Sequence, residues 1–208
     1  VYLGGVFYSI SIGMPTGIAA LIVTLQPILT NILSGPILNE KVTFKQWIGA
    51  FLGFVGAALV LGLDLGEEIP TFGLIATIIA LIAITTSTIW QKKLSNNLPL
   101  SVSNFYQAIG GCLFHLLIVI FFTRAFIDFN ITFFVAMSHQ IFLVSFGAFT
   151  ILMFLIKKNS ASKTVSIFFL IPATSALMAW FFLEESLTVT DLIGFLIASI
   201  GVYIATRD

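Results

Sequence analysis

The chain has 208 residues, of which 59% are hydrophobic and 9% are charged, and its formal net charge is zero. Because a soluble domain devotes about a quarter of its residues to charge, this composition excludes an ordinary soluble domain and indicates an integral membrane protein. Zero net charge also argues against a nucleic-acid partner. The single cysteine, Cys112, excludes a disulfide within the chain.

Eight apolar segments are predicted to cross the bilayer as α-helices, because each approaches the ~20 residues that span its hydrocarbon core. In chain order they are 1–12, which is incomplete, 16–37, 44–63, 70–91, 101–122, 132–156, 163–183 and 190–206. The polar breaks between them are too short to hold a separate soluble domain. Val1 already lies within an apolar run, so we expect the start of the protein to be missing, and a signal peptide is not predicted.

Basic residues concentrate on one side of the predicted membrane protein. Loops alternate sides, and the side with the C-terminus carries eight of the nine Lys and Arg residues, namely Lys41, Lys45, Lys92, Lys93, Lys157, Lys158, Lys163 and Arg207. The opposite side carries Arg124 together with the acidic residues Asp64, Glu67, Glu68, Asp128, Glu184, Glu185 and Asp191. Because cytoplasmic loops are enriched in Lys and Arg, we predict a multi-pass protein of the cell membrane with a cytoplasmic C-terminus.

One stretch of the sequence occurs twice, at a constant separation of 145 positions. Matches of proline, acid and glycine carry more weight than matches of leucine, which is common in every apolar helix. The pairs are Pro27 and Pro172, Glu40 and Glu185, Thr43 and Thr188, Gly49 and Gly194, and Gly56 and Gly201. A shared register without gaps indicates an internal duplication.

The two copies are predicted to have opposite orientations in the membrane. Five spans, an odd number, lead from the Pro27 helix to the Pro172 helix, and this predicts the inverted-topology repeat found in transporters. The same separation of 145 positions would place two helices and part of a third before Val1. We therefore expect an all-α bundle of ten helices in two five-helix repeats, with 1–63 the C-terminal part of the first repeat and 70–207 the second.

Short motifs in both copies carry a family resemblance. The first copy reads Leu-Gln-Pro-Ile-Leu-Thr at 25–30 and Leu-Asn-Glu-Lys-Val-Thr at 38–43, followed by a helix punctuated by glycines. The second reads Leu-Ile-Pro-Ala at 170–173 and Leu-Glu-Glu-Ser-Leu-Thr at 183–188. With these motifs the chain resembles the EamA-type family of the drug/metabolite transporter superfamily. The resemblance implies a ten-helix transporter or exporter of small metabolites in a cytoplasmic membrane, and it names no cargo.

Prolines, acids and glycines of the duplicated stretch have separate predicted roles. Pro27 and Pro172 each remove a backbone donor within a span. Because both copies have the proline in the same register, we favour a hinge beside a central site over a static kink. Glu40 and Glu185, at helix ends, either order their loops through backbone donors or gate access. The small residues that are predicted to pack helices closely, and that leave a homodimer possible, are Gly49, Gly53, Gly56, Gly194 and Gly201.

Polar residues within the spans are candidates for the substrate pathway. Asn104, Gln107 and His115 share one face of the 101–122 helix, and exposure of such groups to lipid would cost several kcal/mol if they had no partner. They therefore line a cavity or, alternatively, bond neighbouring helices. Weaker candidates lie near Pro27 and in the first span: Thr24, Gln26, Thr30 and Asn31 near the proline, and Tyr2, Tyr8 and Ser9 in the span.

Absent residue types limit the chemistry. No Lys or Arg lies deep in a span, so we expect a neutral, zwitterionic or amphipathic cargo. Proton coupling would depend on His115 or His139, and facilitated diffusion remains open. The sequence contains no nucleophile motif or metal-spaced cluster, so an enzyme, a metal and a cofactor are not predicted.

We predict a secondary transporter that works by alternating access, with export favoured by the resemblance alone. The alternative is a non-transporting membrane scaffold or subunit that retains the duplicated fold.

The predicted orientation can be tested with reporters fused after Arg207. We expect a C-terminal green fluorescent protein to fluoresce and a C-terminal alkaline phosphatase to be inactive, because the first reporter folds in the cytoplasm and the second requires an oxidising compartment. An active phosphatase with a dark fluorescent protein would contradict the orientation.

Overall fold

The structure, a computed structural model, describes residues 1–62, 69–95, 99–122, 128–184 and 186–207. All regular structure in these ranges is helical. The elements are α1 (Tyr2–Ser11), α2 (Thr16–Val23), α3 (Gln26–Leu38), α4 (Phe44–Leu61), α5 (Thr71–Ser95), α6 (Leu100–Phe122), α7 (Ile131–Ser138), a π-helical segment (His139–Ala148), α8 (Phe149–Lys158), α9 (Ala161–Ser166), a 3-10 turn (Ile167–Leu170), α10 (Ile171–Leu183) and α11 (Val189–Thr206).

The predicted class, an all-α protein with many membrane spans, is confirmed. Within the described ranges, 7 helical segments are long and apolar enough to cross a membrane: Thr16–Leu38, Phe44–Leu61, Thr71–Leu94, Ser101–Phe121, Ile131–Lys158, Ala161–Phe182 and Val189–Thr206. The remaining predicted span, 1–12, corresponds to α1, which has only 10 residues.

The chain divides into two compact units. One consists of Val1–Trp90 and Asn159–Asp208, and the other of Gln91–Lys158. The first unit contains both copies of the duplicated stretch. In the second unit, the Gln91 side chain joins two residues of α6: its Nε2 donates to Ser103 Oγ over 3.3 Å, and its Oε1 accepts a hydrogen bond from Gln107 Nε2.

The duplication extends to the conformation of the backbone. Helices α3 and α10 both have 13 residues, α4 and α11 both have 18, and each pair begins 145 positions apart. Asn39 and Glu184, which end α3 and α10, have the same left-handed φ of 56°. Capping boxes at Thr43 and Thr188 then begin α4 and α11, each satisfying two backbone donors.

Glycines bring α4 and α11 into backbone contact in the first unit. A Cβ added at Gly49 would lie 2.5 Å from the carbonyl oxygen of Gly201, and one added at Gly56 would lie 2.6 Å from that of Gly194. In the duplication, Gly194 is the counterpart of Gly49, and Gly201 is the counterpart of Gly56. Exchanging the two copies therefore converts the Gly49–Gly201 contact into the Gly194–Gly56 contact. The two helices are therefore antiparallel about an approximate two-fold axis, as an inverted repeat requires.

A small core fills the space beside this contact. Ala50, Ala57 and Val202 from α4 and α11 enclose the fully buried ring of Phe169, which lies in the 3-10 turn before α10. A Cβ at Gly53 would collide with that ring. The glycine contact thus also positions the segment that leads into the second proline.

Substitution at the glycine contact should destabilise the protein. We expect Gly49→Ala to lower the free energy of unfolding by about 1–3 kcal/mol, because the new methyl group cannot fit against Gly201 and Ala205 without moving the helices apart. Thermal unfolding in detergent micelles measures this change.

Gly4→Ala in α1 is the matched control, since among the described residues no atom lies within 4 Å of the position of its Cβ. We expect it to leave the melting temperature unchanged or slightly raised, because alanine favours a helix by about 1 kcal/mol over glycine. Equal destabilisation by both substitutions would contradict the close packing.

Candidate functional site

Each copy of the duplicated stretch contains a helix that is interrupted just before its proline. The span that holds Pro27 is α2 up to Val23 and α3 from Gln26, so Pro27 occupies the first turn of α3. Pro172 likewise occupies the first turn of α10, after α9 and the 3-10 turn. Proline is tolerated in a first turn, but its missing N–H cannot bond the carbonyl four residues back, so the hydrogen bonding of the preceding helix is interrupted there. A hinge at these prolines stays a prediction.

Both breaks border one cavity in the first unit, with a volume of about 360 Å³. Pro27 and Pro172 are themselves buried. The lining comes from α1, α2, α5 and the residues around the two breaks: Tyr2, Val6, Ile10, Thr16, Ala19, Ala20, Val23, Thr24, Gln26, Pro27, Ile84, Phe168, Ile171, Pro172 and Ser175. The inverted repeat therefore brings two distant parts of the sequence to one site.

The cavity is apolar with a few neutral hydrogen-bonding groups. Gln26 is held in place because its Nε2 donates to Thr88 Oγ1 over 3.1 Å, and that hydroxyl donates to the carbonyl of Ile84 over 2.9 Å. The Thr24 hydroxyl donates to the carbonyl of Ala20 over 2.7 Å. Among the described residues, none with a charged side chain lines the cavity, and no three His, Cys, Asp or Glu could hold a metal ion. Such a site can bind an uncharged or internally neutralised molecule by shape and a few hydrogen bonds.

The two halves of the inverted repeat differ in packing around the cavity. On one side α3 packs against α9, and Asn31 of α3 and Ser162 of α9 are only 2% and 1% exposed. The equivalent helices on the other side are α10 and α2, and their equivalent residues are Ala176 and Gly17, which are half-buried. The cavity lies between α2 and α10. The contact between α3 and α9 is therefore a closed face, whereas the equivalent face between α2 and α10 is open and borders the cavity.

Glu40 lies at the end of the closed face. Both of its carboxylate oxygens accept a hydrogen bond from the backbone N–H of Ala161, over 3.1 and 3.0 Å. Ala161 is the first residue of α9, where unpaired N–H groups favour a negative charge. The carboxylate thus ties the loop after α3 to the start of α9. Its predicted counterpart, Glu185, lies outside the described residues.

The other predicted pathway residues lie in several places. Gln26 borders the cavity, and Asn31 lies in the closed face, where Ser162 donates to it. Thr30 is the fully buried residue before Asn31 in α3, and Tyr8 is 54% exposed and does not line the cavity. Asn104 borders a different cavity, within the second unit, beside Ser145.

The remaining two candidates, Gln107 and His115, also belong to the second unit. Gln107 bonds Gln91, and His115 is exposed, with its Nδ1 2.7 Å from the carbonyl oxygen of Gly111 in its own helix. The roles proposed for these residues stay predictions.

Ser175 and Thr16 are polar residues of the cavity that the sequence reading missed. A signal for Ser175 was present, because it is the counterpart of Thr30, 145 positions earlier. Thr16 carried no such signal, since its counterpart is Ala161.

Comparison with known proteins defines the class: the chain belongs to the EamA-like transporter family, whose profile matches residues 2–62 and 71–207. It is 29% identical over 187 residues to "Uncharacterized transporter YvbV" of Bacillus subtilis, covering 88% of this chain and 61% of that protein. It is 24% identical over 208 residues to "Probable amino-acid metabolite efflux pump" of Salmonella typhimurium, covering 95% and 70%.

It is 28% identical to "Uncharacterized transporter YyaM" of the same bacterium, covering 90% of this chain and 63% of that protein. The chain thus spans about three-fifths of the length of YvbV and of YyaM. A crystal structure with 18% sequence identity superposes with a TM-score of 0.81 over 99% of this chain and 71% of the other. That similarity establishes a shared fold.

The difference between the two faces can be measured by cysteine labelling. With Cys112 replaced by serine, Ser34→Cys on the closed face should react with N-ethylmaleimide about tenfold or more slowly than Ala179→Cys, its counterpart on α10. The pair is matched because the two positions correspond in the duplicated register, 145 positions apart. Equal rates would show that the two faces are equally open in the membrane.

Proposed function

We propose that this protein is a secondary transporter that exports small neutral, zwitterionic or amphipathic metabolites across the cell membrane by alternating access. One observation carries the proposal: a single cavity at two duplicated helix breaks, with one of two equivalent faces closed and the other open. An inverted repeat can form the opposite arrangement from equivalent contacts, which is how such folds expose one site to either side of a membrane.

The transport step is an exchange of packed faces. In the described arrangement α3 and α9 are packed, and the cavity between α2 and α10 is open. In the opposite arrangement α2 and α10 would pack while α3 and α9 separate. Only a small free-energy difference between the two arrangements would let bound cargo shift the balance. With the predicted cytoplasmic C-terminus, the open cavity faces the outside of the cell.

The chemistry of the cavity supports the proposed cargo. A strongly charged substrate would need a buried charged partner, and the described lining offers neutral groups such as Gln26, Thr24 and Tyr2. A volume of about 360 Å³ suits a molecule of amino-acid size. The name of the Salmonella relative, "Probable amino-acid metabolite efflux pump", supports both this size and the direction of export.

Export from cells that produce the protein tests the proposal. The cells are loaded with a panel of amino acids, their amides and neutral metabolites, and losses are measured by mass spectrometry. We expect selective loss of one or a few compounds, and we expect Gln26→Ala to slow it about tenfold, because the mutant loses a fixed hydrogen-bonding group at the cavity. His115→Ala tests separately whether that residue is on the pathway.

Thr86→Ala, an exposed position on α5, is the control and should transport at the wild-type rate. Correct membrane insertion without loss of any compound would contradict transport and favour the scaffold alternative.

A further inference from the structure

The closed face between α3 and α9 is polar. Thr30, Asn31 and Ser34 of α3 are 0%, 2% and 0% exposed, and Ser162 and Ser166 of α9 are equally buried. One hydrogen bond joins the two helices through these side chains, because Ser162 Oγ donates to Asn31 Oδ1. The hydroxyls of Ser34 and Ser166 bond carbonyls within their own helices, over 3.5 and 2.9 Å.

Two polar atoms of this face have no hydrogen-bond partner among the described residues: Thr30 Oγ1 and Asn31 Nδ2. Turning the Asn31 amide over would leave its oxygen unpaired, so one end lacks a partner in either orientation. Buried polar groups are nearly always bonded, and an exception requires an explanation. A face that served only to hold two helices together would be more stable with small apolar residues at these positions.

The equivalent face contains those apolar residues. The counterparts of Asn31 and Ser34 are Ala176 and Ala179, and the counterpart of Ser162 is Gly17. The counterpart of Thr30 is Ser175, which lines the open cavity. Position 30 therefore corresponds to a cavity position, and the polar groups around it are additional to what helix packing needs.

We propose that Thr30 and Asn31 form a latent subsite that binds a hydrogen-bond acceptor oxygen of the transported molecule, a carbonyl or a carboxylate, when α3 and α9 separate. This inference rests on the proposed function. The Asn31 amide and the Thr30 hydroxyl are donors on adjacent residues of α3. Both are neutral, so each can bind such an oxygen without a buried counter-charge. The transported molecule would then contact a polar site between α3 and α9, near Glu40, and a mainly apolar site between α2 and α10.

Pairs of compounds that differ in the type of one oxygen, a carbonyl or a hydroxyl, test the subsite. L-Leucinamide and L-leucinol carry the same side chain and the same amine. The amide presents a carbonyl oxygen, which is a stronger hydrogen-bond acceptor than the hydroxyl oxygen of the amino alcohol. The methionine and phenylalanine pairs are equivalent. Cells are loaded with an equimolar mixture of all six, and export is measured for each. We expect the wild-type protein to export each amide about tenfold faster than its amino alcohol, the effect of one good hydrogen bond.

Variants locate the source of this preference. Thr30→Val and Asn31→Ala should each lower the ratio of amide to amino alcohol towards one, because each removes a donor. Thr30→Ser keeps the hydroxyl and should keep the ratio. Ser162→Ala removes the bond between the helices but neither donor, so it should also keep the ratio. A ratio is insensitive to the amount of folded protein, and melting temperatures of the purified variants check folding.

The outcomes separate this inference from the function on which it rests. A wild-type ratio near one, a ratio that survives both Thr30→Val and Asn31→Ala, or export of other panel compounds without any of the amides would overturn the subsite and leave transport standing. Export of no compound at all by correctly inserted wild-type protein would overturn the proposed function and the subsite with it.

Discussion

The backbone contact between α4 and α11 is the constraint on which the rest of the first unit depends. Glycines at matching positions let the two helices approach until only backbone separates them. In a membrane, where apolar side chains gain little by leaving lipid, such close van der Waals packing is a main source of helix association. Because the paired glycines are related by the duplication, the contact also fixes the two copies in opposite directions. That geometry brings Pro27 and Pro172 to one cavity.

A symmetric scaffold here supports an asymmetric arrangement. The faces α3–α9 and α10–α2 are equivalent in the duplicated register, yet one is sealed and the other borders the cavity. The closed face is held by one neutral hydrogen bond, from Ser162 to Asn31, and by the contact of Glu40 with the first turn of α9. The open face has alanine and glycine at the positions that match Asn31 and Ser162. The two faces therefore differ in the chemistry that would hold them closed, although they share one backbone plan.

The neutral cavity follows from the cost of charge in a membrane. An ionised side chain that faces lipid or an apolar cavity needs a partner of opposite charge. None of the described residues that line the cavity has a charged side chain. Gln26 instead presents a polar group that is fixed by Thr88 on a neighbouring helix. In the proposed function this group would orient the transported molecule without binding it tightly.

The sequence by itself determined the spans, the duplication and the two helix breaks. Apolar length and the capping threonines act locally, so the ends of α3 and α10 and both boundaries of α4 and α11 could be anticipated closely. The prolines indicated interruptions within the two longer spans, but the exact starts of α3 and α10 came from the structure. Gln26 was identified as a cavity residue only through its position beside Pro27. Tertiary structure decided which face is closed, and so why Ser175 borders the cavity while its counterpart Thr30 is buried. The physical reason is that the local sequence permits both arrangements of an inverted repeat. The choice between them depends on packing among segments that are far apart in the chain.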